Sequence, residues 1–364
     1  MHITVGKSTS SDARSAVGEA LRNSGKPKLI IFNAPYKMIG EVADIISKNY
    51  PDTKSIGTSG TAYYENSASD SHLITIAFGD DAVVDVGLMR NLSSCPVSDI
   101  VELENVVKNV GPEEGKTVCI EFCTGHEERL VTTMNVALHN KKVPLVGGTV
   151  FGVPDGQTAY VAINGKIYED ACCYAVIKNK AGRIRTYSEN IYEADDSTPR
   201  HVATKVNLEN KELISLDGRP AADVYTEELG ISKSQVVNNV FQSPLGRLVG
   251  DEIFISSMYD VGKNGSLINY KIINENDTIC ILKLKDYDAV NASTRHKIKD
   301  ENSHISFVFS VNCIYRHLLF ANEGYLGTFL ANMKNLGPHV GVVGGGEQYK
   351  RQHVNQTMVC AVFE

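Results

Sequence analysis

Near the end of the chain, several side chains have the chemistry to hold a small zwitterion. Cys313-x-x-Arg316 directly follows the apolar run 305–311, and Gly346-Glu347 directly follows the apolar run 340–343. A guanidinium presents a planar fork that suits a carboxylate, and a carboxylate accepts from an ammonium group. If the two runs are parallel neighbours in one sheet, Arg316 and Glu347 leave it at the same end. Ligands of open α/β sheets bind at the carboxyl ends of strands. Asn355 and Thr357 follow closely and add neutral donors and acceptors. A plain ion pair between Arg316 and Glu347 is the alternative reading of the same residues.

The elements that must position these groups have a counterpart earlier in the chain. Gly344-Gly345-Gly346 ends a short apolar run, and so does Gly147-Gly148. Glycines bunched at a strand end mark a sharp turn or a close approach of backbone. Each pair is preceded by a β-rich run (117–123 and 305–311) and a helix-like run (127–140 and about 322–335), and followed by another apolar strand. The spacing predicts an internal duplication with copies about 195 residues apart, the kind of repeat that decides a fold assignment. The copies differ chemically, because Thr149 stands where the later turn has a carboxylate. The fold class expected is α/β (α+β): two related layered halves, with mixed β-sheets flanked by helices.

Elsewhere the residues exclude more than they propose. A length of 364 residues implies two domains. The formal charge of −7 gives no basic face for nucleic acid. No apolar run reaches the roughly 18–20 residues a membrane helix needs, and the first residues do not read as a secretory signal, so a cytoplasmic location is expected. Eight scattered cysteines without CxxC or zinc spacing fit a reduced compartment and no metal. No nucleophile elbow, zincin or kinase signature is present, and the expectation is a non-enzyme.

In chain order, residues 28–32 read as a buried strand and 38–50 as a helix with apolar residues at helical period. Ser55 to Thr61 is a strand running into a Gly/Ser/Thr turn that offers backbone N–H groups to a polar ligand, or is an ordinary strand–helix turn. Residues 97–110 read as a helix, and Asn164-Gly165 as a two-residue hairpin turn. The polar, acidic stretch 188–201 places a boundary, giving domains 1–190 and 201–364 with a linker at 191–200. Pro220 to Gly230 is a helix with its Pro and Gly at the expected ends.

With these residues in view, the chain resembles the FIST family of sensory proteins. The N-terminal half of the pattern is carried by Leu29 to Phe32, Ser55-Ile-Gly-Thr-Ser-Gly60 and Val143-Pro-Leu-Val-Gly-Gly148. The C-terminal half is carried by Leu216 to Tyr225, Asn264 to Leu267, Cys313-x-x-Arg316, Gly346-Glu347 and Asn355-x-Thr357. The resemblance implies a FIST N-terminal-like domain over 1–190 and a ligand-binding FIST C-terminal-like domain over 201–364. It implies a cytoplasmic sensor of a small ligand, an amino acid or similar metabolite, held by Cys313, Arg316, Gly346, Glu347, Asn355 and Thr357. It further implies signalling through a separate protein, such as a histidine kinase, a chemotaxis receptor or a cyclic-dinucleotide enzyme. A haem-binding nitric-oxide sensor is the alternative that the family allows. The basic loop Tyr349-Lys-Arg-Gln-His353 departs from the family pattern.

Overall fold

The computed structural model describes residues 1–250 and 252–364. It is a mixed α/β structure whose sheets are flanked by helices. The chain forms two compact units, and they do not follow sequence halves. The first takes Met1–Glu189, Ala292–His353 and Met358–Glu364; the second takes Asn190–Asn291 and Val354–Thr357. The polar stretch at 188–201 marks where the chain leaves the first unit. Its return at 292 carries no comparable composition signal.

The repeat expected twice occurs a third time. Each copy in the first unit is built from a flanking strand, a helix, two core strands joined through a helix, a short hairpin and a closing strand. The core strands are Leu29–Ala34 with Lys54–Ser59, Thr117–Cys123 with Leu145–Thr149, and Phe307–Cys313 with His339–Gly344. Each of these pairs is parallel. The closing strands Leu73–Phe78, Ala171–Asn179 and Thr357–Phe363 return antiparallel beside the first core strand of their own copy. All three sheets have six strands in the same order.

The hairpins do not stay at home. Ala62–Tyr64, from the first copy, pairs with His339–Gly344 of the third. Val161–Ile163, from the second copy, pairs with Lys54–Ser59 of the first. Glu347–Tyr349, from the third, pairs with Leu145–Thr149 of the second. Each copy completes its neighbour's sheet, and the exchange closes in a ring. The two glycine turns that looked alike in sequence therefore touch each other: Thr149 N donates to Gly346 O at 3.1 Å, and Gly345 N donates to Thr149 O at 3.0 Å.

The glycines make these approaches possible. A Cβ on Gly57 would lie 2.2 Å from the Phe32 ring, one on Gly147 would lie 2.1 Å from Glu121 Oε1, and one on Gly148 would lie 2.5 Å from Val311 Cγ1. Phe32 and Glu121 come from the adjoining strand, and Val311 from another sheet. The expected helices form with their apolar faces inward: Val42, Ala43, Ile45 and Ile46 are buried on Ile39–Asn49, and Leu103, Val106, Val107 and Val110 on Ile100–Val110. The helix expected at about 322–335 is Leu326–Lys334, and a second helix, Ile314–Asn322, precedes it between the core strands of the third copy.

The second unit is mainly antiparallel. Its sheet includes the hairpin Leu245–Val249 with Glu252–Ser256 and the strands Thr278–Ile281, His201–Asn207 and Glu212–Leu216. The helix Ala221–Leu229 ends at Gly230, whose φ of 65° is the left-handed cap that Gly tolerates.

Gly57→Ala is expected to cost about 1–3 kcal/mol by overpacking against Phe32. Gly18, in the helix Ala13–Ala20, has open space at its Cβ, and Gly18→Ala should stabilise by up to about 1 kcal/mol. Urea unfolding of the two variants checks both signs.

Candidate functional site

Arg316 lies in the first turn of Ile314–Asn322, immediately after the strand Phe307–Cys313. That strand and His339–Gly344 are parallel neighbours, as the sequence spacing requires. The guanidinium is fully buried. Its centre lies 4.6 Å from the Phe320 ring and 5.3 Å from the Phe329 ring. Stacking on aromatic faces suits a weakly hydrated guanidinium. Nη2 donates to Glu189 Oε1, and both side chains are fully enclosed. Nε and Nη1 are enclosed with no hydrogen-bond partner among the described residues. Beside this group, Tyr63 stacks on His317 and meets Phe329 edge-on, and its hydroxyl is 2.8 Å from His317 Nδ1. Burial raises the Tyr63 hydroxyl far above its ordinary range and lowers the His317 imidazole, so both stay neutral.

The carboxylate that the structure sets against Arg316 is thus Glu189, which no spacing argument could have linked to it. Cys313 caps the same helix and is buried. Glu347 is fully buried and faces Gly148 across the exchanged hairpin. The other two hairpins open on Ala62 and Val161, so only this one brings a carboxylate to the junction. Gly346 adjoins it and accepts from Thr149. Asn355 and Thr357 are buried within the 354–357 segment assigned to the second unit.

A polar cluster missed in the sequence lies around the same hairpin. Glu121, on Thr117–Cys123, is fully buried, and Cys172 Sγ donates to its Oε2 at 3.3 Å. Burial, with Glu127 adding a smaller like-charge effect, pushes its carboxyl up to about 8. Thr149 Oγ1 donates to Glu127 Oε1 at 2.9 Å and accepts from Gln348 Nε2 at 3.3 Å; Gln348 Nε2 also lies 3.2 Å from His353 Nδ1. The apolar run Thr117 to Cys123 contains one carboxylate, Glu121. That acid in an otherwise buried strand was the available signal.

Two family models cover most of the chain. The FIST N domain model matches residues 28–219, and the FIST C domain model matches residues 221–350. The chain belongs to the FIST family. FIST domains are associated with sensory signal transduction and small-ligand binding. The matched boundary at 219–221 lies inside the second compact unit, so FIST N and FIST C are sequence domains that share the threefold unit between them. No curated protein matches the chain. Among solved structures, a phosphoribosylformylglycinamidine synthase II from Thermotoga maritima is 10% identical, with a TM-score of 0.21, over 99% of this chain and 71% of that one. A structure of PurLQS from Thermotoga maritima gives the same identity, coverage and TM-score.

Among the described residues, no group of three or more His, Cys, Asp or Glu side chains is arranged to hold a metal ion, and no helix is long and apolar enough to cross a membrane. The cysteines at 119, 123, 172 and 173 are buried free thiols, and burial pushes Cys173 up to about 12. They behave as small apolar side chains.

Glu121 has a pH signature. Its folded pKa lies above the usual carboxylate value, so the folded state holds the proton more tightly than the unfolded chain. Stability is therefore greatest below the unfolded value and falls as pH rises from about 4.5 to about 8. Glu121→Gln should flatten that fall, read as melting temperature against pH. His339, pulled down to about 4 by burial, acts in the opposite sense below its ordinary value of 6.5, so the contrast is clearest between pH 6.5 and 8. Removing the guanidinium breaks a fully buried ion pair: Arg316→Ala should cost about 3–5 kcal/mol in denaturant unfolding.

Proposed function

We propose that this FIST protein is a non-enzymatic sensory module that binds a carboxylate-bearing small metabolite, such as an amino acid, and signals through a separate protein. The observation that carries the reading is the unfilled guanidinium of Arg316. A purely structural ion pair would saturate the fork. Here two of its three nitrogens are buried without a partner among the described residues. Enclosed donors in that state cost free energy that a ligand carboxylate would recover. Phe320 and Phe329 hold the guanidinium in place and keep it dry, which strengthens a charged hydrogen bond. Glu347 is the carboxylate we assign to an ammonium group. Cys313 and Gly346, in the same unit, complete the proposed set.

Haem suits these side chains poorly. The buried imidazole lining the cavity of about 510 Å³ beside Pro338 is His339, and its Nε2 is already 2.9 Å from Ser310 Oγ. His353 faces Gln348, and His317 faces Tyr63.

A melting screen of amino acids and dicarboxylates tests the proposal. A ligand at 100 times its dissociation constant adds about 2.7 kcal/mol to the folded state. The expected hit raises the melting temperature of the wild type but not of Arg316→Lys, which keeps the charge and loses the fork. A panel without a hit, or an equal shift in Arg316→Lys, counts against the assignment. Haemin added to the purified protein should give no sharp Soret band.

A further inference from the structure

A second feature of the first unit has no part in that site. The basic loop that departs from the family pattern, Lys350-Arg351, forms the turn of the exchanged hairpin Glu347–Tyr349 and Gln352–Val354. It overhangs a cavity of about 410 Å³. Lys142 and His139, from the turn after the helix Glu127–Leu138, also line it. So does Arg185, on Ile184–Asn190. Four fixed cations (Lys142, Arg185, Lys350, Arg351) therefore meet two carboxylates (Glu114, Glu301) around one concavity, in a chain whose net charge is −7. Glu114 pairs with Lys142, and Arg185 reaches Glu364 at 3.5 Å. Lys350 and Arg351 have no carboxylate partner among the described residues.

The backbone that carries Lys350 and Arg351 is held in place. Asn135 Nδ2 donates to Lys350 O at 2.9 Å, and Tyr349 OH donates to Thr186 O at 3.0 Å, so the turn is pinned on both sides. The Lys350 ammonium lies 5.0 Å from the Tyr349 ring centre. Lys350 and Lys142 both adopt left-handed backbone, with φ of 51° and 55°. Conformations that side chains rarely adopt concentrate at functional sites. The floor is apolar, with Val143 and Ile184 buried beneath. Converging cations over an apolar floor, in a volume of small-ligand size, are what a phosphorylated metabolite requires.

We infer that this cavity is a binding site for a small phosphate-bearing metabolite, with Lys350 and Arg351 as its principal phosphate ligands and Lys142 on the same lining. The positive patch would concentrate such an anion against the repulsion of the chain as a whole. A concave, walled shape and an apolar floor favour a small molecule over an acidic protein segment.

The test is isothermal titration of the full chain with inorganic pyrophosphate and, separately, with a nucleoside monophosphate. Binding with a dissociation constant below about 1 mM that weakens with added salt is expected. Lys350→Ala/Arg351→Ala should weaken it by about tenfold or more, since each charged hydrogen bond contributes on that scale. Both residues are exposed, and an unchanged melting temperature shows that the variant is folded. Equal affinities for the two probes place recognition in the phosphate alone; tighter binding of the nucleotide assigns the apolar floor to the base. Failure of both probes to bind, an undiminished affinity in the double variant, or binding of polyglutamate in preference to both would overturn the inference. Arg316→Lys should leave phosphate binding intact, so this result stands apart from that of the carboxylate screen.

Discussion

Close contact between glycine-bearing strands is the constraint on which this architecture rests. Along Leu145–Thr149, Gly148 leaves room for Val311 of another sheet, and Gly147 leaves room for Glu121 of the neighbouring strand. A side chain at either position would collide with Val311 or Glu121, so the packing at this junction depends on glycine. The same device, a large side chain lying over a glycine of the adjoining strand, recurs at Phe32 over Gly57. Three near-equivalent sheets are thereby joined through main-chain bonds, and chemical differences between the copies are left to single positions.

Those single positions differ in charge. The opening residue of the exchanged hairpins is Ala62, Val161 or Glu347, and only the last is charged. The helix after the first core strand carries a buried Arg316 in the third copy alone, against Glu189 at the end of the flanking strand. A threefold scaffold made asymmetric in this way varies single positions while keeping the structural economy of a repeat. Belonging to the FIST family accords with that division between shared frame and individual site.

Much of the frame was legible because local signals and global fold agreed. The helical period of Val42, Ile45 and Ile46, the Asn164-Gly165 turn and the paired glycines all act over a few residues. The first copy of the repeat was missed because its glycines, Gly57 and Gly60, are split by Thr58-Ser59 and do not look like Gly147-Gly148. Arg316 was singled out as a charge following a strand, and the structure buries it in the first turn of the helix there. Its companion Glu189 was not, because 127 residues separate them and the insertion of the second unit erases any pattern linking the two. Asn355 and Thr357 follow the same logic: the four residues Val354–Thr357, a turn with one strand residue on each side, belong to a different compact unit from the chain before and after them.

The exchange of hairpins also has a kinetic meaning. Gln348 and Thr149 are 199 residues apart, and the second copy's sheet cannot be finished until that span has been brought together. Until then Leu145–Thr149 exposes an unpaired, apolar edge, a template for strands of other molecules. Contacts of such separation form slowly, since loop closure precedes any gain from pairing. On a ribosome the chain therefore emerges with open sheets, and becomes resistant to aggregation only when the last hairpin docks.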